Sequence, residues 1–486
     1  MNRHNRKPEP TLRRKRLAST CVALALLSSS SGALLAACSD GNSLSTQDRS
    51  QAASRPVDRV VDKRRRGKKP RNIVVFIGDG MGVSTITAAR IFDGQSRGLR
   101  GEEHVLAFED FANLALIKTY NTNSQVADSA GTATAILSGY KTNIGTVNVP
   151  PADSLEAMVL GSCGTDANPP ATLTTKAKRS GRSVGVISTA RLTHATPAAM
   201  YGHAVSRDWE ADKDIEGPVL AAGCTSLSEQ LVSSEADLFL GGGEKEFSES
   251  QIERFPGAVV RTASEMNAAP DGRLLGLFNS SHMSFEADRA ETDEPSLAEM
   301  TRFAMDRLSA NRNGYVLMVE AGRVDHAHHG TNAYRALRDM QALNEAVAVA
   351  KEKMGDDTLI LVTADHSHVF SMSGYPTRGN PILGLVKSND RETGLPNSDP
   401  VLAEDGKPYT TLGYHNGPNV RLPDSPALTD NMVQAPDYRQ QTAVPLGSET
   451  HAGEDVPLYA TGPGSEQVRG VMEQDEIGKL IERMLK

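Results

Sequence analysis

The sequence is poor in cysteine and in aromatic residues. Its 486 residues include 4 Cys and 1 Trp, and Phe, Trp and Tyr together make up 5%. So few aromatic side chains argue against a surface that binds sugars or bases by stacking. Hydrophobic residues make up 38% and charged residues 23%, which excludes global disorder and allows a sizeable core. The length predicts several domains, or one large α/β domain with insertions.

Basic residues are scarce outside the N-terminal segment. Residues 1–71 contain 17 Lys or Arg and 5 Asp or Glu, although the formal net charge of the whole chain is -8. The rest of the chain is therefore acidic. Because nucleic-acid binding requires a basic surface, we expect no nucleic-acid partner. An acidic body can still process anions when metal ions reverse the local field.

The apolar run near the N-terminus is too short to span a bilayer. It covers residues 17–27 and follows the basic run Arg13–Arg16, which is typical of a signal peptide. The letters Leu-Ala-Ala-Cys that end at Cys38 resemble a bacterial lipobox, in which the cysteine is lipidated. Ordinary cleavage after Ala37 is the alternative. We predict a lipoprotein-type signal peptide over residues 1–37 and an exported protein, periplasmic or at the cell surface, held on a bacterial membrane by a lipid on Cys38.

Residues 38–71 are polar and then strongly basic, and we interpret them as a flexible tether before a body that covers residues 72–486. Two cysteines lie in that body. Cys21 leaves with the signal peptide and Cys38 is assigned to the lipid, so Cys163 and Cys224 remain. In an exported protein this pair predicts a Cys163–Cys224 disulfide.

Short β-branched runs alternate with helical patterns along the body. This alternation predicts an α/β fold with a mostly parallel central sheet and helices on both faces. The helical pattern is clearest over residues 332–354. Residues 376–445 hold ten of the 25 prolines and are interpreted as a loop-rich insertion. The predicted strands cover residues 72–77, 183–187, 238–240, 315–319 and 358–363.

Potential ligands follow three of these strands. Asp79 follows the first, Glu320 follows residues 315–319, and Asp365 with His366 follows residues 358–363. Parallel sheets bind ligands beyond the carboxyl ends of their strands. A single Asp there is more often a helix cap, but three strands ending this way predict a shared site.

The segment from Glu320 to His329 is the densest in such residues, with three of the 12 histidines between residues 326 and 329. Asp325 and His329 are spaced i, i+4, which places them on one face of a helix. A carboxylate and imidazoles are good zinc ligands, and His451 is able to complete the set. The alternative is a solvated His-rich loop.

The second focus is the small-residue run that begins at Asp128-Ser129. Ser129 is predicted near a helix N-terminus, where free N–H groups favour an anion. From this run alone, a simple serine cap is the stronger interpretation. No Gly-x-Ser-x-Gly turn surrounds Ser129, so activation by a coordinated metal is the remaining route to a nucleophile.

These motifs resemble those of the alkaline phosphatase family, closest to its vertebrate-type branch, from about Asn72 onward. The resemblance is carried by Val324–His329, by Thr363–His368 and by the stretch from Tyr438 to Glu454, in the family's order. It implies metal-dependent hydrolysis of phosphate monoesters through a phosphoserine intermediate at alkaline pH. A related phosphodiesterase or sulfatase, and a phosphate-binding lipoprotein without turnover, are the alternatives.

The resemblance also implies a role for individual residues. Ser129 matches the nucleophile and Arg207 the arginine that binds phosphate, while His194 and His326 match positions beside the bound phosphate. Two zinc ions and one magnesium ion are implied for each subunit. The implied ligands are Asp325, His329 and His451 for one zinc ion, Asp79, Ser129, Asp365 and His366 for the other, and Asp79, Thr196 and Glu320 for magnesium. Cys163 and Cys224 match a family disulfide.

The resemblance has departures as well. The vertebrate-type branch carries a calcium site. Asn279 stands where that branch has a Glu ligand, and Glu294 stands where it has an Asp, so we do not expect calcium here. Residues 376–445 resemble the family's crown insertion near the dimer interface, and a homodimer is expected. The sequence has no hydrophobic C-terminal tail of the kind that directs a GPI anchor, so a lipid on Cys38 would replace that attachment.

Overall fold

The computed structural model describes residues 68–163 and 167–486. Its strands, in chain order, are β1 (Asn72–Gly78), β2 (Asn113–Lys118), β3 (Ser183–Arg191), β4 (Leu238–Gly242), β5 (Ala258–Val260), β6 (Leu274–Leu277), β7 (Tyr315–Ala321), β8 (Thr358–Ala364), β9 (Ser367–His368), β10 (Phe370–Met372), β11 (Leu412–Gly417), β12 (Thr442–Pro445), β13 (His451–Ala452), β14 (Val456–Thr461) and β15 (Gly470–Glu473).

Ten of these strands form one sheet, in the order β15-β2-β14-β8-β1-β7-β3-β4-β6-β5. Every neighbouring pair is parallel except the two that β14 makes, with β2 and with β8. The central strands β1, β7 and β8 are buried along their whole length. Continuous apolar runs are typical of strands covered on both faces, so the predicted mostly parallel α/β fold is confirmed.

Helices connect and flank these strands. In chain order they are α1 (Val83–Ser96), α2 (Ser129–Ser138), α3 (Leu155–Ser162), α4 (Leu173–Arg179), α5 (Ala195–Ala198), α6 (Gly217–Ala221), α7 (Leu227–Ser233), α8 (Glu249–Arg254), α9 (Ala263–Asn267), α10 (Leu297–Leu308), α11 (Arg323–His329), α12 (Ala333–Lys353), α13 (Asp430–Val433) and α14 (Asp475–Leu485). Short 3-10 turns cover Asp212–Asp214, Glu244–Glu246, Arg289–Glu291 and Ser465–Gln467.

The five predicted strands all exist, and each extends past its predicted end, from one residue (β1 and β8) to four residues (β3). Five strands of the large sheet were not predicted. β2 alternates between buried and exposed positions, and β14 contains Pro457, so neither has the continuous apolar run that marked the others. The long helical pattern was placed correctly, since α12 covers 333–353 against a predicted 332–354.

The segment from 376 to 445 contains β11, β12 and the short helix α13, joined by turns and isolated bridges. β10, β11 and β12 form a separate three-stranded sheet. The predicted disulfide between Cys163 and Cys224 is present. The predicted signal peptide, Cys38 and most of the tether lie outside the described residues. Within the part of the chain that is described, no helix is both long enough and apolar enough to cross a membrane.

Candidate metal centre and phosphate site

The carboxyl ends of three adjacent strands bring the predicted acidic residues together. β1 lies between β7 and β8, and Ile77 pairs in register with Glu320 on one side and with Thr363 on the other. Asp79 and Asp365 therefore emerge at the same edge of the sheet. Glu320 is a correction to the sequence analysis, because it is the sixth residue of β7 and does not follow the strand. All three carboxyl groups are fully buried.

Ser129 is the first residue of helix α2, and it is not the cap. The preceding residue, Asp128, caps the helix by accepting a hydrogen bond from the backbone N–H of Gly131 at 3.2 Å. The interpretation of Ser129 as a simple N-cap is therefore wrong. The Ser129 hydroxyl is free for another partner, and its Oγ lies 3.1 Å from His366 Nε2. The helix N-terminus adds a positive potential at this point.

Asp325, His329 and His451 form the first group of predicted metal ligands. Asp325 and His329 lie on helix α11, so the solvated-loop alternative for this segment is wrong. Oδ1 of Asp325 lies 3.3 Å from His329 Nε2 and 3.4 Å from His451 Nε2, and the two histidine nitrogens are 3.2 Å apart. Three potential ligand atoms that converge within 3.5 Å of one another fit a zinc ion, whose preferred protein ligands are of these types.

Asp79, Asp365 and His366 form the second group. His366 Nε2 lies 3.4 Å from Asp79 Oδ1 and 3.2 Å from Asp365 Oδ2, and it also faces Ser129. Both carboxylate oxygens of Asp79 are buried without a hydrogen-bond partner. Burial raises the pKa of Asp79 well above its usual value, and the negative charges of Asp365, Asp325 and Glu320 raise it further. A buried carboxylate with no donor is costly, so this group also fits a bound cation.

A third group contains oxygen ligands. The buried hydroxyl of Thr196 and Oε1 of Glu320 have no hydrogen-bond partner, and Asp79 lies close to Glu320. The other oxygen of Glu320 accepts a hydrogen bond from Ser188. Burial raises the pKa of Glu320 to about 7, and the charge of Asp365 adds to it, although the hydrogen bond from Ser188 opposes the rise. Thr196 is also near enough to Glu320 to lower the pKa of that carboxyl group. Carboxylate and hydroxyl oxygens are the ligands that magnesium prefers.

Arg207 lies in a cavity of about 410 Å³ whose lining also includes Ser129 and the first group, Asp325, His329 and His451. Its Nη1 donates to Asp128 Oδ2 at 3.1 Å, and its Nη2 lies 3.1 Å from His194 Nε2. Burial by itself would lower the pKa of Arg207, but the carboxylates of Asp128 and Asp79 outweigh it, so the pKa is raised and the guanidinium stays charged. The cavity is lined by Ser129, Arg191, His194, Arg207, Asp208, Glu210, Asp325, His326, His329 and His451.

The structure therefore brings every predicted catalytic and ligand residue to this edge of the sheet, and it adds two that the sequence analysis left without a role. His368 Nε2 lies 2.9 Å from Asp325 Oδ1, and its Nδ1 lies 2.6 Å from Glu449 Oε2. Burial lowers the pKa of His368, but these two carboxylates outweigh it and raise the pKa to about 9. His368 is two residues after His366, and residues spaced by two along an extended chain point to the same side. This spacing was the only sequence signal that His368 lies beside the site.

The residues at the doubtful calcium position do not fit a calcium ion. The amide Nδ2 of Asn279 donates to Glu294 Oε1 at 2.6 Å, and the backbone N–H of Ser284 donates to Oε2 at 2.8 Å. Both oxygens of Glu294 are thus already used by hydrogen-bond donors. Calcium requires six to eight oxygen ligands, whereas here an N–H group points at the carboxylate.

Comparisons with known proteins agree with this geometry. The family model described as alkaline phosphatase matches residues 70–486. The alkaline phosphatase of Gadus morhua is 38% identical over 447 residues, which cover 84% of this chain and 90% of that protein. The tissue-nonspecific isozyme of Gallus gallus is 39% identical over 447 residues, covering 84% and 83%.

Solved structures show the same fold. A cold-active alkaline phosphatase from Shewanella sp. superposes with a TM-score of 0.61 at 23% identity, covering 85% of this chain and 100% of that one. The Thermus thermophilus alkaline phosphatase also gives 0.61, at 24% identity, covering 85% and 91%. With the family match, the sequence identity and the clustered metal-binding residues together, the chain belongs to the alkaline phosphatase family and is a metal-dependent enzyme that hydrolyses phosphate monoesters.

Proposed function

We propose that this chain hydrolyses phosphate monoesters through a phosphoserine formed on Ser129. The observation that carries the proposal is the position of Ser129, at the first residue of α2, with its Oγ 3.1 Å from His366 Nε2 and in the same cavity as Arg207. A candidate nucleophile, a guanidinium able to bind phosphate and three groups of candidate metal ligands lie close together, which supports the proposal. That combination is what phosphoryl transfer requires, because it depends on positioning and on charge stabilisation.

We further propose two zinc ions and one magnesium ion for this site. Asp325, His329 and His451 would hold one zinc ion, and Asp79, Asp365 and His366 with the Ser129 hydroxyl would hold the second. Asp79, Glu320 and Thr196 would hold magnesium. When bound, such ions supply Lewis-acid stabilisation of the charge on the attacking and leaving oxygens. The unpartnered oxygens of Asp79, Glu320 and Thr196 support this assignment.

The residues of the chain then act in sequence. The two Nη groups of Arg207 hold two oxygens of the phosphoryl group in a forked arrangement, while Asp128 and His194 keep the guanidinium oriented. Ser129 Oγ gives up its proton and attacks the phosphorus, and the bond from phosphorus to the ester oxygen breaks. The leaving alkoxide takes up one proton, which balances the proton lost by the Ser129 hydroxyl. Water then cleaves the bond between Ser129 Oγ and phosphorus, which releases inorganic phosphate and restores the hydroxyl.

The experiment that tests this mechanism compares Ser129→Ala with Ser250→Ala, an exposed serine on helix α8, in protein loaded with zinc and magnesium. Turnover of a chromogenic phosphate monoester and of the matching diester is measured together with metal content. We expect Ser129→Ala to lose several orders of magnitude of monoesterase activity, to keep its fold and to retain most of its metal, whereas Ser250→Ala stays at the wild-type level. Near-wild-type turnover in Ser129→Ala would refute the covalent mechanism, and a faster diester would assign the chain to a diesterase.

Two further properties are proposed from the sequence. The enzyme is exported and anchored by a lipid on Cys38, which the lipobox-like segment before Cys38 supports, and it works as a homodimer, as the resemblance of residues 376–445 to a crown insertion suggests. Cys38→Ser should move the enzyme from the membrane to the soluble fraction with unchanged turnover per molecule. If the variant stays in the membrane fraction, Cys38 carries no lipid.

A further inference from the structure

A histidine outside the motifs discussed above lies against the cavity wall. His282 belongs to the loop between β6 and α10, and its ring centroid lies 4.1 Å from that of His326 and 5.5 Å from that of His194. The rings of His194 and His326 are 5.5 Å apart, so the three imidazoles form a triangle. His194 and His326 line the cavity, whereas His282 does not and packs against both of them.

The loop that carries His282 is fixed from both sides. Glu294 accepts hydrogen bonds from Asn279 and Ser284, which flank His282 in the sequence. The backbone N–H of Met283 donates to the carbonyl of Thr189 at 3.0 Å. Close packing prevents the loop from shifting toward β4, since a Cβ added at Gly242 would lie 2.2 Å from the Ser281 carbonyl oxygen. The position of the His282 imidazole is therefore set by the backbone around it.

His282 also contacts a second arginine of the cavity. Its Nδ1 faces the backbone N–H of Arg191 at 3.2 Å, and its Nε2 contacts the guanidinium of the same residue. The other side of that guanidinium is held by Glu210, with 2.8 Å between Arg191 Nε and Glu210 Oε2. Arg191 and Glu210 both line the cavity. His282 and Glu210 together fix the orientation of Arg191.

Each imidazole of the triangle touches one guanidinium. His194 contacts Arg207, His326 contacts Arg323 with 3.1 Å between Nδ1 and Nη1, and His282 contacts Arg191. Burial, together with nearby positive charge, lowers the pKa of the His282 ring to about 2. A neutral imidazole accepts a hydrogen bond through one nitrogen only, so His282 accepts from either the backbone N–H or the guanidinium of Arg191 and packs against the other. A phenyl ring of similar size would pack in the same place but would accept no hydrogen bond.

We propose that His282 is a positioning residue for phosphate binding: it holds Arg191 and the ring of His326 in the orientation that receives the phosphate group. The proposal rests on the assignment of this cavity as the phosphate site. Groups that are already oriented bind a ligand without the entropic cost of being ordered. The effect should therefore fall on affinity more than on the chemical step.

The test uses His282→Ala, His282→Phe and His282→Gln in full-length enzyme loaded with zinc and magnesium. For His282→Ala we expect KM for a chromogenic monoester, and the inhibition constant for inorganic phosphate, to rise about five- to tenfold, in the range of one lost hydrogen bond. The kcat should change less than about twofold. His282→Phe keeps the ring but loses the acceptor and should resemble His282→Ala in phosphate inhibition. His282→Gln keeps an acceptor and should recover at least part of the affinity.

Controls separate the possible failures. His415→Ala removes an exposed histidine and should leave all constants unchanged. Wild-type phosphate inhibition in His282→Ala would overturn the proposal, as would an equal loss in all three variants together with lower metal content or melting temperature. Arg207→Ala is measured in parallel. If Arg207→Ala weakens phosphate inhibition and His282→Ala does not, only the role of His282 is wrong, whereas wild-type inhibition in both would refute the phosphate site itself.

Discussion

Oδ2 of Asp128 accepts a hydrogen bond from Arg207 Nη1 at 3.1 Å, while Oδ1 of the same carboxylate caps the helix that begins at Ser129. One side chain thus fixes the proposed nucleophile and the proposed phosphate ligand relative to each other. Asn121 Nδ2 also donates to Oδ1 at 3.1 Å, and a Cβ at Gly131 would lie 2.6 Å from Asn121. The close approach of Asn121 requires glycine at position 131.

Replacing Arg207 should weaken phosphate binding much more than metal binding. The guanidinium offers two parallel charge-assisted hydrogen bonds, each contributing about 1.5–3 kcal/mol. For Arg207→Ala we expect a rise of at least about tenfold in KM and in the inhibition constant for inorganic phosphate, with near-normal zinc content. Arg207→Lys keeps the charge but loses the fork, so it should resemble Arg207→Ala. Arg312→Ala, at an exposed arginine, is the matched control, and unchanged phosphate inhibition in Arg207→Ala would contradict the assignment.

Removal of the metal ions should make stability depend on pH. Burial raises the pKa of Glu320 to about 7 from 4.5, and burial also raises the pKa of Asp79 and of Asp365. A raised pKa means that the folded state keeps a proton that the unfolded state releases. This stabilisation is complete below about pH 4.5 and is lost as the pH rises through about 7, which amounts to about 3 kcal/mol for Glu320.

We therefore expect the melting temperature of chelator-treated protein to fall between about pH 5 and about pH 8. The protein loaded with zinc and magnesium should change much less, because cations then balance the carboxylates. Thermal melts of both forms across this range make the comparison. If the melting temperatures of both forms change with pH in the same way, the buried carboxyl groups of Asp79, Glu320 and Asp365 are not the groups that the cations balance.

Calcium should have no effect on the wild-type protein, but it should stabilise a variant at position 279. Asn279→Asp replaces the amide donor with a second carboxylate beside Glu294, which should lower the free energy of unfolding by about 1–3 kcal/mol. Added calcium should recover part of this loss, since two carboxylates attract the ion. Asn279→Ala removes the hydrogen bond without adding charge and should not respond to calcium. Melting curves in zinc and magnesium, with and without calcium, test this; a calcium response of the wild type would contradict it.

Arg182 should be one of the most sensitive positions for stability that lies away from the cavity. Its guanidinium donates to the carbonyls of Pro70 and Arg71, at the start of the described body, and to those of Met484 and Leu485, at the end of α14. Burial lowers its pKa. Arg182→Ala would leave these carbonyls without donors, at a cost of about 2–4 kcal/mol.

Denaturant unfolding of Arg182→Ala, with exposed Arg179→Ala as the control, measures that loss. The kcat should remain near that of the wild type, because Arg182 is not among the residues that line the cavity. A change in stability of less than about 0.5 kcal/mol, as is usual for surface positions, would mean that these carbonyls find other donors.

The sequence by itself determined the α/β class and the central strands, and it pointed to the main residues proposed as metal ligands. Continuous apolar runs mark strands that are buried on both faces, and the residues that follow them must gather at one edge of a parallel sheet. The same local information identified Ser129 near a helix start and Asp325 with His329 on one helix face. These features depend on neighbours in the chain, so they can be read from spacing.

Only the tertiary structure decided which residue caps α2, where Glu320 lies in its strand, and what surrounds Glu294. Ser129 and Asp128 are both good capping residues, and the choice between them depends on the contact with Asn121 and above all on the contact with Arg207, which is distant in the sequence. The amphipathic strand β2 forms because β14 and β15 pair with it. His282 carries no local signal, since its ring contacts Arg191, His194 and His326, which come from two distant segments. Contacts between distant segments are set by packing, and a spacing pattern contains no information about them.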